Sequence, residues 1–188
     1  MSKSMWATKL RGTGRRLGRC ERGESLIAFG FLLPVIIAFS FGILEFSLLV
    51  FDYHRVNEGL RLGARLATVG DSVTDLSGLA TGASVTCESS GGAVSCSAGT
   101  ADANRFNAIL SEVRRIQPYV QSDHLKITYS DVGLGHADEP GGLIPLVTLR
   151  IEGLSRDFII LDGVPGIPAT YTYPPFTTSL VANGQGPA

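Results

Sequence analysis

From Leu26 to Phe51 the chain reads LIAFGFLLPVIIAFSFGILEFSLLVF, 26 residues with one charged side chain, Glu45. At a rise of 1.5 Å per residue, about 20 apolar helical residues cross a hydrocarbon layer about 30 Å thick. A core helix of a water-soluble domain keeps a polar face, and this run has none. It predicts a single membrane span with room for tilt. The rest of the 188-residue chain suffices for one modest domain beside the span.

Charge is distributed unevenly about the run. Residues 1–23 carry Lys3, Lys9, Arg11, Arg15, Arg16, Arg19 and Arg22 against Glu21 alone, whereas residues 52–188 hold 9 basic and 14 acidic side chains. Basic flanks stay in the cytoplasm, which predicts a single-pass protein of the inner (plasma) membrane with a cytoplasmic N-terminus and a periplasmic or otherwise extracytoplasmic C-terminal domain. A removable secretory signal has an apolar core of about 7–15 residues followed by a small-x-small site. This core is longer, and Asp52-Tyr53-His54-Arg55 follows it. The span is therefore expected to be retained, with the lipid bilayer as a partner. Overall, 16 Lys and Arg balance 17 Asp and Glu, which argues against a nucleic-acid partner, since such proteins concentrate basic charge.

Three organisational segments follow: a basic leader over 1–23, a long helix over 24–70 with the span at 26–51, and an α+β domain over 71–188 ending in a flexible tail. The apolar run continues without a breaker into an amphipathic stretch, where Val56, Leu60, Ala64 and Ala67 recur on one face. Gly70-Asp71-Ser72 is the stop. Asp102 is placed to cap a second helix over Ala103–Gln117, with Phe106, Ile109, Leu110, Val113 and Ile116 on one stripe and Pro118 behind it. Alternation of apolar and polar residues predicts strands over 125–130 and 147–152, joined by a Gly-rich loop from Gly133 to Gly142. A short edge strand is expected near Thr170–Tyr173, after which the chain frays. Cys87 and Cys96 flank a Gly-Gly turn in the exported part, where disulfides persist, and are expected to bridge across a hairpin. Cys20, on the other side of the span, is expected to stay reduced.

Two motifs sharpen this reading. Arg22-Gly23-Glu24-Ser25-Leu26-Ile27-Ala28-Phe29, with Pro34 following, straddles the start of the span. Gly59-Leu60-Arg61-Leu62-Gly63-Ala64-Arg65-Leu66-Ala67 closes the long helix. Together they resemble the TadE-like family, minor pseudopilins of tight-adherence (Flp-type) pilus systems. Members have a basic leader ending in Gly, a Glu-Phe pair five and six residues later, Pro near the eleventh position, and a Gly-Ala-Arg motif. Gly23, Phe29, Pro34 and Gly63-Ala64-Arg65 match that pattern. The resemblance implies a pilin-like α+β fold, in which a long transmembrane helix runs into a small domain with a second helix and a short antiparallel sheet. It implies cleavage between Gly23 and Glu24 by an aspartic prepilin peptidase. It also implies assembly with other pilins or pseudopilins and with Tad secretion-system membrane components, in a pilus used for adhesion.

One position departs from the family: Ala28 stands where members carry Glu. That carboxylate is thought to meet the N-terminal amine of a neighbouring subunit inside the membrane, where an unpaired charge is costly. Three arrangements accommodate its loss: a place at the fibre tip, assembly only with a partner that has the Glu, or work as a membrane platform outside any filament.

Glu45 is the single ionisable group within the span, and its expected role is either pairing with another subunit or none beyond a place near the interface. Phe29, Pro34, Glu45, Gly63, Ala64 and Arg65 are thus the candidate helix-packing and assembly residues. Small residues at Gly63 and Ala64 suit a tight crossing by the second helix, and Arg65 suits either pairing with an acidic group or solvation. His54, His124 and His136 share no ligand spacing, and Asp131, Asp138 and Glu139 read as a solvated loop, so neither metal nor cofactor is expected. Hydrolase, nucleotide-binding and metalloprotease motifs do not occur in a usable context, and no catalytic residue is assigned. The expected function is non-enzymatic: a pseudopilin-like subunit that acts by helix packing. The alternative is a signal-anchored extracytoplasmic binding module unrelated to pili.

Overall fold

The computed structural model describes residues 21–77, 79–135, 143–163 and 166–182. Most of the basic leader, Cys20, His136, Asp138, Glu139 and the last six residues lie outside the described residues. The fold is α+β with a long N-terminal helix, as expected. Helix α1 spans Glu21–Val69, 49 residues and about 74 Å, and it stops at the Gly-Asp-Ser segment. The chain divides into two compact units, 1–44 and 45–188. In the first, every side chain from Ser25 to Phe41 is exposed, although the segment is almost wholly apolar.

The second unit begins inside α1. Val56, Leu60, Ala64 and Ala67 are fully buried, so the stripe that the periodicity marks is the face that enters the core. Helix α2 spans Ala103–Ile116. The Asp102 carboxylate accepts from the Asn104 and Arg105 amides at 2.8 and 3.1 Å, satisfying two donors that a helix start leaves open. Phe106, Ile109, Leu110 and Val113 are buried, and Ile116 is half-buried.

Strands β1 (Ser84–Ser90), β2 (Ala93–Cys96), β3 (Leu125–Ser130), β4 (Leu146–Ile151) and β7 (Phe176–Val181) form one sheet in the order β2-β1-β3-β4-β7. All its pairings are antiparallel. Gly91 and Gly92, both at positive φ (59° and 85°), make the tight β1–β2 turn; two successive left-handed residues are what a type I′ turn requires. One sheet face carries Leu125, Ile127, Tyr129, Val147, Leu149 and Ile151, all buried. The other is polar: Thr86 and Thr128 are hydrogen-bonded, and Lys126 bridges Glu88 and Glu152.

The C-terminal quarter differs from the sequence reading. The strand near 170 exists, but Thr170–Thr172 (β6) pairs with Ser155–Asp157 (β5) as a separate two-stranded ribbon. The segment read as frayed holds β7, which pairs with β4 from Ile151↔Phe176 to Leu146↔Val181. Pro174 and Pro175 masked the strand, because proline cannot sit inside a ladder; both precede it, and Phe176 anchors it in the core. The β5–β6 ribbon is thus an excursion between two neighbouring strands, and it carries the segment that meets α1.

Candidate functional site

The Gly63 motif lies where α1 crosses α2 and the sheet. A Cβ on Gly63 would come within 2.7 Å of Val113 Cγ2 and 3.1 Å of Leu149 Cδ2, and one on Gly59 within 3.0 Å of the Val113 carbonyl oxygen. Glycine is needed here for close approach. Ala64 is fully buried and Arg65 is exposed, and Arg65 has no ion pair among the described residues.

The two helices are joined at their ends by arginines. Arg105 of α2 donates Nη2–H to the Leu66 carbonyl and Nε–H to the Asp71 carbonyl, each at 2.6 Å. Arg55 of α1 donates to the Ile116 carbonyl, the last residue of α2. Each guanidinium meets a carbonyl in the last turn of the other helix, Leu66 or Ile116, where a cation is also favoured, and Arg105 reaches in addition the Asp71 carbonyl just past α1. Sequence reading assigned neither role, since an exposed-looking Arg carries no signal of a partner 39 or 61 residues away.

Glu45 has a third environment, different from both that the sequence offered. It is 8% exposed, and its carboxylate accepts from three successive backbone amides. Ile160 N donates to Oε1 and Leu161 N to Oε2, both at 2.9 Å, and Ile159 N also donates to Oε1. Two turns further along α1, Asp52 pairs with Arg156 of β5. Tyr173 stands beside this pair; burial, then the Asp52 charge, push its phenol up to about 12. Two carboxylates on one helix therefore hold the β5–β6 excursion.

A cleft of about 320 Å³ at this junction is lined by Asp52, Gln117, Tyr119, Arg156, Asp157 and Tyr173. Leu154 and Ser155 complete the lining, and Asp52 is engaged with Arg156. No cluster of three or more His, Cys, Asp or Glu side chains able to hold a metal occurs among the described residues.

The other candidate residues are spread along the chain. Gly23 and Glu24 lie near the start of α1. Phe29 and Pro34 are exposed within the apolar run, where Pro34 removes one helix hydrogen bond. A Cβ on Gly30 would meet nothing within 4 Å. Cys87 and Cys96 are disulfide-bonded, directly opposite each other in the β1–β2 register. A single helix long and apolar enough to cross a membrane is found among the described residues, near the N-terminus.

One end of this helix is apolar and exposed, and the other contributes buried residues to the core of the α+β domain. Residues 23–65 match the model of the TadE-like protein family, the family that the motifs resemble. The match begins at Gly23 and ends at Arg65. No curated protein and no solved structure matches the chain.

Proposed function

We propose that this chain is a minor pseudopilin-like, single-pass membrane protein that takes part in assembling a Tad (Flp-type) pilus for adhesion. The observation that carries the reading is the family match over 23–65, which starts at the glycine where a leader would be cut. The uncovered apolar stretch of α1 supports membrane anchoring. The charge asymmetry supports a cytoplasmic leader, and the Cys87–Cys96 bridge supports an oxidising compartment for the domain.

In this reading a prepilin peptidase cleaves between Gly23 and Glu24. The exposed helix, including Phe29 and Pro34, then packs beside helices of other pilins, pseudopilins or Tad membrane components. Gly63 and Ala64 act indirectly, because they are consumed in holding α2 against α1. The test is N-terminal sequencing of the membrane-derived protein with and without the peptidase, combined with co-purification. Glu24 as first residue, dependent on the peptidase and accompanied by pilus components, is the expected result. An intact leader in cells that have the peptidase would instead favour an anchored binding module.

A further inference from the structure

We propose that Phe158, Ile159 and Ile160, between β5 and β6, are embedded in the lipid leaflet on the side of the C-terminal domain, with acyl chains filling the groove between them and α1. The inference rests on the membrane reading above. Glu45 lies six residues before Phe51, the end of the apolar run, or about 9 Å inside it along the helix. Its carboxylate binds the amides of Ile159, Ile160 and Leu161, so it holds that segment at the same height. Non-helical backbone is tolerated within hydrocarbon only when its polar groups have partners. Glu45 supplies acceptors for three of the amides, the Phe158 amide donates to the Ala169 carbonyl and the Ile160 carbonyl accepts from Gly163 N. The three amides in turn give a buried carboxylate its donors.

The side chains beside those amides point the same way. Ile159 is 80% exposed and Ile160 is 41% exposed, two adjacent isoleucines that gain nothing from facing water. Next to them an apolar groove of about 360 Å³ is lined by Phe46, Val50, Tyr53, Phe158 and Tyr171, among others. The groove surface continues the exposed apolar surface of α1, where Phe46 and Val50 are themselves exposed. Tyr53 and Tyr171 fit the headgroup level, where amphipathic rings collect. The Asp52–Arg156 pair lies seven residues beyond Glu45, at the height where charge returns to water. The occupant that matches apolar lining, this height and continuity with the span is a lipid acyl chain.

The test uses the full chain in liposomes of phosphatidylethanolamine and phosphatidylglycerol with brominated acyl chains. Trp6 is the single natural tryptophan; in a Trp6→Phe background, Ile159→Trp and, separately, Ile160→Trp report on the segment. Phe39→Trp reports on the middle of the apolar run, and Val69→Trp on the far end of α1. The expected result is blue-shifted emission and loss of most intensity to bromine at positions 159, 160 and 39, with Val69→Trp unquenched. Water-like, unquenched emission at 159 and 160 beside a quenched Phe39→Trp would overturn the proposal and leave the span standing. Blue-shifted but unquenched emission there would mean that protein, such as a second copy, covers the segment, and would also overturn it. An unquenched Phe39→Trp would remove the membrane reading itself.

Discussion

Glu45 and Leu161 are 116 residues apart in the chain and are joined by a 2.9 Å hydrogen bond from the Leu161 amide to the Glu45 carboxylate. With the Ile159 and Ile160 amides on the same carboxylate, this clasp ties the excursion between β4 and β7 to the long helix. The residue that the sequence offers as a subunit contact within the span is thus occupied within its own chain.

Removing the carboxylate should free that excursion. Glu45→Ala leaves three amides without an acceptor, and a buried hydrogen bond left unmade typically costs enough to shift a local equilibrium by about tenfold or more. Amide hydrogen exchange at 159–161 in the membrane-reconstituted chain should speed up by at least that factor, while exchange in β3 stays slow. Glu45→Gln keeps one acceptor oxygen and should fall between. Unchanged exchange in Glu45→Ala would mean that the clasp contributes nothing to order in the segment.

The arginine contacts between α1 and α2 predict non-additive losses. Arg105→Ala removes hydrogen bonds to the Leu66 and Asp71 carbonyls and should cost about 1–2 kcal/mol. A Cβ on Gly70 would collide with the Arg105 guanidinium, so Gly70→Ala should displace the same group. In a double-mutant cycle read by chemical denaturation, the pair should cost clearly less than the sum of the singles. Strict additivity would separate Gly70 from Arg105.

Two glycines on the same helix should respond oppositely to the same change. In an open helical position, Gly→Ala stabilises by about 1 kcal/mol. At Gly63 the new methyl meets Val113 Cγ2 at 2.7 Å, and overpacking of about 1–3 kcal/mol outweighs that gain. Gly63→Ala should therefore lower stability, and Val113→Ala in the same chain should recover part of the loss. Gly30 has open space around it, so Gly30→Ala should leave the domain intact. Where a neighbouring helix packs at Gly30, that variant should instead reduce co-purification of pilus components; normal recovery would exclude Gly30 as a packing site.

Alkaline pH should weaken the fold through two tyrosines. Tyr173 is held at about 12 against an ordinary 10.0, first by burial and then by the Asp52 charge. Burial also raises Tyr129, against a smaller opposing pull from the Val73 amide that donates to its hydroxyl. In both cases the unfolded chain loses its proton first, so the folded form binds more protons as pH rises past 10. Stability from these groups is complete below pH 10 and is lost as pH rises through each folded-state value, about 12 for Tyr173. For Tyr173 the loss is at most about 3 kcal/mol. Denaturation midpoints across that window, followed beside phenolate absorbance, should fall less steeply in Tyr173→Phe; an unchanged slope would rule out Tyr173 as a source.

Much of the architecture is written in local periodicity. The apolar run, the stripe through Val56, Leu60, Ala64 and Ala67, the Asp102 cap and the alternation over 125–130 each depend on neighbours a few residues away. A single sequence shows such neighbours directly. The Gly-Gly turn and the flanking cysteines are equally local, and so is the family pattern over the start of the helix. By contrast, β7 was hidden behind Pro174-Pro175, and its pairing with β4 depends on a strand 25 residues earlier.

The sequence by itself therefore determined a long helix with an uncovered apolar end, a second capped helix, a disulfide-pinned hairpin and the core strands. Only the tertiary structure decided what Glu45, Asp52, Arg55 and Arg105 do. Their partners are backbone groups and charges 34 to 116 residues distant, and no periodicity encodes which carbonyl or amide the folded chain will bring to a charged side chain. Burial makes those contacts necessary, because a polar group taken from water must find a partner, but the topology selects the partner.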